Sequence, residues 1–198
     1  MELWEYERFL MQGENGAWCG VDEAGRGPLA GPVYAAAVIL PEKFELPGLN
    51  DSKKLSEKKR DILFDQICTC AVSFGIAYAT PREIDEHNIL GATYLAMNRA
   101  VKMLSPAPVR ILVDGNRNEG IEGDSICVIG GDAKCASIAA ASILAKVSRD
   151  RYMAELSEKY PQYNFERHKG YPTKLHYEKL REHGPCPEHR VTFLRKMH

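Results

Sequence analysis

The period of apolar residues changes several times along the chain, and each change marks an element. Leu3, Trp4, Phe9 and Leu10 give residues 3–10 the spacing of a short amphipathic helix, ended by Gly13 to Gly16. A strand is predicted over Ala17 to Asp22, running into a loop with Gly25, Arg26 and Gly27. Val33 to Leu40 is a continuous apolar run, the pattern of a strand buried on both faces, and Pro41 closes it. Ser56 is a suitable N-cap for a helix carrying Ile62, Leu63, Phe64 and Ile67. Ala71 to Ala79 returns to period two through Val72, Phe74 and Ile76. From Pro81 to Leu104 the spacing is helical: Leu90, Tyr94, Met97, Val101 and Leu104 form one stripe, read as core and not as a cofactor face.

Two further strands each lead to a carboxylate. Val109 to Val113 delivers Asp114, and Gly115-Asn116 turns the chain; Ser125 to Ile129 leads through Gly130-Gly131 to Asp132. A long helix follows over Ala133 to Lys159, its small residues from Ala136 to Ala145 allowing close approach to a sheet and Asp132 at its positive end. Beyond Tyr160-Pro161 come His168-Lys169-Gly170-Tyr171 and a helix capped by Thr173, with Leu175 and Leu180 inward. Strands alternating with helices predict an α/β fold.

Length adds that 198 residues suit one domain, here residues 1–160, with a small helical extension over 161–198. Six cysteines without a Cys-x-x-Cys pair read as free thiols of a reducing compartment. The acidic start Met1-Glu-Leu-Trp-Glu-Tyr-Glu and the lack of an apolar run near ~18 residues give a cytoplasmic protein with no membrane segment. The net charge of -1 hides an asymmetry, since residues 133–198 hold 13 Lys+Arg against 7 Asp+Glu. A basic end beside an acidic site suits a polyanion; alone, the bias is equally a solvated surface.

The candidate chemistry lies in the acids. Adjacent strand residues face opposite ways, so Asp22 and Glu23 share a site only if the chain leaves the strand between or just after them. Gly25 and Gly27 permit that departure and expose amides beside Arg26, a combination able to hold a phosphate or sugar. Taken alone, this stretch is equally a solvated turn; it is neither a Walker A loop nor Gly-x-Gly-x-x-Gly. Ligands of α/β folds collect at strand ends, where Asp22, Glu23, Asp114 and Asp132 could meet. Four such acids repel unless cations intervene, and an oxygen-only set favours Mg²⁺ or Mn²⁺ over zinc. Lys53 and Lys54 ahead of a helix can meet phosphate or merely be solvated, and Tyr171 can stack on a sugar or base or simply pack.

The motifs Gly20-Val-Asp22-Glu23-Ala-Gly25-Arg26-Gly27-Pro28, Asp51-Ser52-Lys53-Lys54-Leu55, Val113-Asp114-Gly115, Gly131-Asp132-Ala133-Lys134 with the alanine-rich helix to Arg151, and His168-Lys169-Gly170-Tyr171 occur in the order that closely resembles bacterial ribonuclease HII. The resemblance runs from about Trp18 to Phe193. It implies a ribonuclease H-like fold with a central mixed sheet of five strands. It implies an endonuclease that cuts the RNA strand of RNA–DNA hybrids and nicks 5′ of single ribonucleotides in duplex DNA, leaving 3′-hydroxyl and 5′-phosphate ends. Asp22, Glu23, Asp114 and Asp132 would be catalytic and hold two divalent ions. Gly25, Arg26 and Gly27 would read the 2′-hydroxyl, Ser52 and Lys53 would bind substrate, and Tyr171 would stack at the RNA–DNA junction. A monomer is expected.

Three details stand apart. The family's Lys-Gly-Asp-Ala-Lys-Ser is here Gly130-Gly131-Asp132-Ala133-Lys134-Cys135; a lysine ahead of the last acid is missing and Cys135 is an expected point of oxidation. Phe193 to His198 shows no sliding-clamp peptide, so clamp binding is not expected. Rival readings are a non-catalytic nucleic-acid-binding module, which leaves four acids facing a phosphate backbone without purpose, and a DNA-strand nuclease on the same fold.

Overall fold

A computed structural model describes residues 3–49, 52 and 55–195, with the side chains of Leu3 and Trp4 outside the description. Five strands, β1 (Trp18–Ala24), β2 (Val33–Ile39), β3 (Ser73–Ala79), β4 (Arg110–Asp114) and β5 (Ser125–Val128), form one mixed sheet in the order β3-β2-β1-β4-β5. β2 runs antiparallel to β1 and to β3, while β4 runs parallel to both β1 and β5. Three parallel strands end at the same edge of a sheet. The carboxylates at the ends of β1 and β4 and just beyond β5 are therefore brought together by topology.

Helices α1 (Leu3–Met11), α2 (Glu57–Cys70), α3 (Pro81–Lys102) and α4 (Ala136–Lys159) flank the sheet, and α5 (Phe165–His168), α6 (Lys174–His183) and α7 (Val191–Leu194) complete the chain. Every residue of β2 is buried, as the unbroken apolar run requires. Val33, Ala35, Ala37 and Ile39 meet Ala92, Ala96, Met97 and Ala100 of α3, and Ala36 and Val38 meet Ala140, Ala141 and Leu144 of α4. α4 approaches the sheet closely at Gly20, where a Cβ would lie 2.3 Å from the backbone N of Ile138; any side chain there would push α4 off the sheet.

The structure departs from the expected elements in three places. β1 continues through Glu23 to Ala24, paired with β2 from Gly20 onward. The helix begun at Pro81 breaks at Asn88 (φ 58°, ψ 171°), whose Oδ1 accepts from the amides of Leu90 and Gly91 and so caps a second segment. The deepest face of that segment is built from Ala92, Ala96, Met97 and Ala100, because Gly75 of β3 admits the helix backbone; Tyr94 and Val101 of the expected core stripe pack at the margin of this core, while Leu90 lies outside it.

The C-terminal segment from Gly170 to Arg190 folds back onto the loop after β1. Backbone hydrogen bonds join Leu29 to Gly170, Gly31 to Glu188 and Arg190 to Leu29. Asp85 accepts from the amides of Val191 and Thr192, capping α7 from α3. Among the described residues no helix is long and apolar enough to cross a membrane, and all six cysteines are free.

Candidate active site

Asp22, Asp114 and Asp132 each offer a carboxylate oxygen such that the three oxygens lie within 4.8 Å of one another. Asp22 comes from β1, Asp114 from the end of β4, and Asp132 from a 3-10 turn (Gly131–Ala133) between β5 and α4. Burial raises the Asp22 carboxyl well above the usual carboxylate range, and the charges of Glu23 and Asp114 raise it further. A trio of oxygens that resist ionising together is a cradle for a hard divalent cation, which relieves both burial and repulsion.

Two of the acids are held by neighbouring amides. Asp114 Oδ1 accepts from the Gly131 amide at 2.6 Å, and Asp22 Oδ1 from the Glu23 amide at 2.7 Å. Asp22 is also hydrogen-bonded to the Ser142 hydroxyl of α4, whose oxygen lies 2.8 Å from that of Ser52. A hydroxyl has one proton, so with Ser142 donating to Asp22, Ser52 donates to Ser142. Ser52 was expected at the substrate; it is instead buried behind Asp22. Lys53 lies outside the described residues, as do Asp51 and Lys54.

Glu23 stands beside this trio and not within it. Because β1 does not end at Asp22, the pleat turns the next side chain to the other face, where Glu23 and Asp114 line a cavity of about 180 Å³ with Leu90, Tyr94 and Met97. Arg26 Nη1 reaches Glu23 Oε1 at 3.4 Å across the same cavity. The expected cluster of four is thus a trio, Asp22 and Asp132 buried and Asp114 half-buried, with Glu23 adjoining it beside Asp22 and Asp114.

The loop from Gly25 to Pro32 is fixed from beneath by two buried arginines. Arg190 donates to three carbonyls: Nη2 to Gly25 at 2.6 Å, Nη1 to Arg26 at 2.9 Å and Nε to Gly31 at 2.9 Å. Arg149 donates to Pro32, Ala30 and Lys169. Gly25 has φ +97°, and a Cβ on it would lie 2.0 Å from Arg149 Nε, so glycine is required on both grounds. Burial lowers both guanidiniums, Arg190 to about 9, with Arg149 adding to the effect on Arg190. Tyr171 is exposed on the same side, its Cε1 3.7 Å from where a Gly27 Cβ would stand. Asp22, Asp114, Asp132, the glycine loop and Tyr171 therefore share one edge.

Glu7 was missed by sequence reasoning. Its buried carboxylate accepts from the Ser137 amide at 3.0 Å and so caps α4, whose own N-cap residue, Cys135, makes no side-chain cap bond. The first turn of α4 is thus capped by Glu7 of α1, while Asp132 lies in the turn just before the helix. Cys135 is fully buried and its thiol is pushed up to about 12, mainly by burial, with the Glu7 charge adding to it, which removes it as the expected point of oxidation. Gly130 adopts φ +65° with open space around it.

A mixed five-stranded sheet with carboxylates gathered at its parallel strand ends places the chain in the ribonuclease H-like class of α/β proteins. The solved structures agree: the ribonuclease H2 of Pyrococcus horikoshii OT3 superposes with TM-score 0.74 at 29% identity, over 91% of this chain and 96% of that one. The Bst-RNase HIII structure in complex with Mn²⁺ superposes with TM-score 0.69 at 20% identity, over 87% of this chain and 64% of that one, and shows the shared fold. The profile of the Ribonuclease HII family matches residues 19–198, and the ribonuclease HII of Endomicrobium trichonymphae is 58% identical over 175 residues, 88% of this chain and 83% of that protein. The chain belongs to the ribonuclease HII family and is an enzyme, a type 2 ribonuclease H. That membership sets aside the non-catalytic binding module.

Proposed function

We propose that the protein hydrolyses the RNA strand of RNA–DNA hybrids and nicks duplex DNA on the 5′ side of a single ribonucleotide, leaving 3′-hydroxyl and 5′-phosphate ends. The observation that carries this reading is the Asp22–Asp114–Asp132 trio on the same edge as the exposed Arg26 and Gly27 of the glycine loop and the exposed Tyr171. The three aspartates, with Glu23 adjoining, would hold two Mg²⁺ or Mn²⁺ ions. Such ions, when bound, supply an activated water and stabilise the leaving oxygen, so no protein nucleophile is required.

The protein's own residues do the rest. Ser142 and the Glu23 amide hold the Asp22 carboxylate in place, and the Gly131 amide holds Asp114. The amides of the Gly25–Gly27 loop face the 2′-hydroxyl, the one group that marks a lone ribonucleotide in DNA. Tyr171 stacks on the sugar at the junction, and Lys53 meets the backbone. Residues 161–198 act as a substrate-binding extension of a catalytic unit over 1–160, and the enzyme works as a cytoplasmic monomer, in keeping with its free cysteines. The family's lysine is replaced by Gly130, which reduces the hold on phosphate. Clamp binding is not proposed; residues 196–198 of the segment concerned lie outside the description.

The test is cleavage of a DNA duplex carrying one ribonucleotide, with Mg²⁺, Mn²⁺ or EDTA, beside an all-DNA duplex. A metal-dependent nick only at the ribonucleotide is expected. Equal cutting of all-DNA duplex would transfer the assignment to a DNA-strand nuclease.

A further inference from the structure

The fully buried Arg190 has no catalytic assignment, and its environment is unusual. A guanidinium removed from water normally meets a carboxylate; this one meets three main-chain carbonyls, those of Gly25, Arg26 and Gly31. The contacts span 159 to 165 residues of sequence, so the end of the chain holds the loop near its beginning. Asp85, by capping α7, and the Arg190 amide bond to Leu29 fix the arginine's own backbone.

Peptide planarity gives these contacts a consequence. In a trans peptide the carbonyl and the amide of the next residue point in opposite directions. With the Gly25 and Arg26 carbonyls turned inward to Arg190, the amides of Arg26 and Gly27 are turned outward, on residues that are exposed. Two consecutive outward amides form a concave donor pair of the kind that binds an oxygen ligand. Binding is stronger when such donors are oriented before the ligand arrives.

We propose that Arg190 is a positioning residue for ribonucleotide specificity: its planar fork fixes the two peptide planes that present the Arg26 and Gly27 amides to the substrate's sugar–phosphate. The proposal rests on the ribonucleotide-directed activity given above. Lysine cannot replace it, because a single ammonium lacks the fork that spans three carbonyls.

The experiment compares Arg190→Lys with Gly75→Ala. The latter change forces a Cβ to 2.2 Å from the Ala100 carbonyl oxygen on an outer strand and destabilises the protein without touching the loop. Steady-state cleavage of the single-ribonucleotide duplex is measured well below both melting temperatures, with Mn²⁺ affinity measured by calorimetry. Arg190→Lys is expected to lower kcat/KM by about 10- to 100-fold, the scale of losing one or two oriented donors, with Mn²⁺ affinity unchanged and Gly75→Ala close to wild type. Wild-type kcat/KM in Arg190→Lys overturns the proposal, as does a parallel loss in Gly75→Ala or a loss of Mn²⁺ affinity. Should Arg190→Lys not fold, Gly27→Pro deletes one outward amide while leaving Arg190 in place; a Cβ there meets nothing nearer than 3.7 Å, and undiminished cleavage by it refutes the proposal. A wild-type enzyme that cuts all-DNA duplex equally would sink the functional reading itself, separately from Arg190.

Discussion

Acid should loosen the C-terminal segment that carries Tyr171, through a chain of neutral histidines. His176 Nδ1 lies 3.0 Å from the Tyr171 carbonyl, an acceptor, so this nitrogen carries the proton and His176 Nε2 accepts. His189 Nε2, 3.1 Å away, is then the donor, and its Nδ1 accepts from the Cys186 amide at 2.9 Å. Each ring is buried and satisfied only when neutral, and His168 stacks on His176 with ring centroids 4.3 Å apart. Burial lowers both His176 and His189 from 6.5 to about 4. The unfolded chain therefore takes up these protons first, so unfolding free energy falls as pH drops from about 6.5 toward 4. Each histidine contributes about 1.4 kcal/mol per pH unit across that window, about 3.5 kcal/mol per histidine as an upper limit. Glu7 and Asp22, both raised, act in the opposite direction, so the comparison with His189→Gln is what isolates the term. Denaturant titrations from pH 7.5 to 4.5 should show the variant losing about 1.4 kcal/mol per pH unit less than wild type. Identical slopes would refute the neutral-chain assignment.

Other consequences follow from the acid site. Asp22→Asn removes a buried charge from beside Asp114 and Glu23; in EDTA it should melt above wild type, by about 1–2 kcal/mol of stability, and show no cleavage and no Mg²⁺-induced rise in Tm. A lower Tm in EDTA, or retained activity, contradicts the site. Ser142→Ala should weaken Mn²⁺ binding by about 10- to 100-fold in calorimetry, as loss of a group orienting a ligand does, with little change in fold. Tyr171→Ala, an exposed position, should reduce cleavage at single ribonucleotides more than on long hybrids; equal losses count against stacking at the junction.

How much of this was legible in the sequence depends on the range of the interaction. The strand order of periods and the glycine punctuation predicted the α/β sheet, and parallel topology alone brought Asp22, Asp114 and Asp132 together. Glu23 adjoins the aspartate trio because β1 continues past Asp22, so the pleat alternates the two neighbouring side chains; the sequence pattern had left open where the strand ends. Asn88 was read through because its positive φ interrupts an otherwise helical spacing without glycine or proline to announce it. Arg149, Arg190 and Glu7 carried no signal, since their partners are main-chain groups between 20 and 165 residues away in the chain, which no local pattern encodes. Ser142 was hidden inside an alanine-rich helix, where a small hydroxyl reads as close packing.

The central claim is that Asp22, Asp114 and Asp132 form the metal centre of a ribonucleotide-directed nuclease. Anomalous diffraction from crystals grown with Mn²⁺ and a duplex carrying one ribonucleotide tests it most directly. Manganese bound by carboxylate oxygens of all three aspartates is expected, with the ribose 2′-hydroxyl against the Arg26 and Gly27 amides. Manganese bound elsewhere with the trio empty, or a 2′-hydroxyl turned away from that loop, would contradict it.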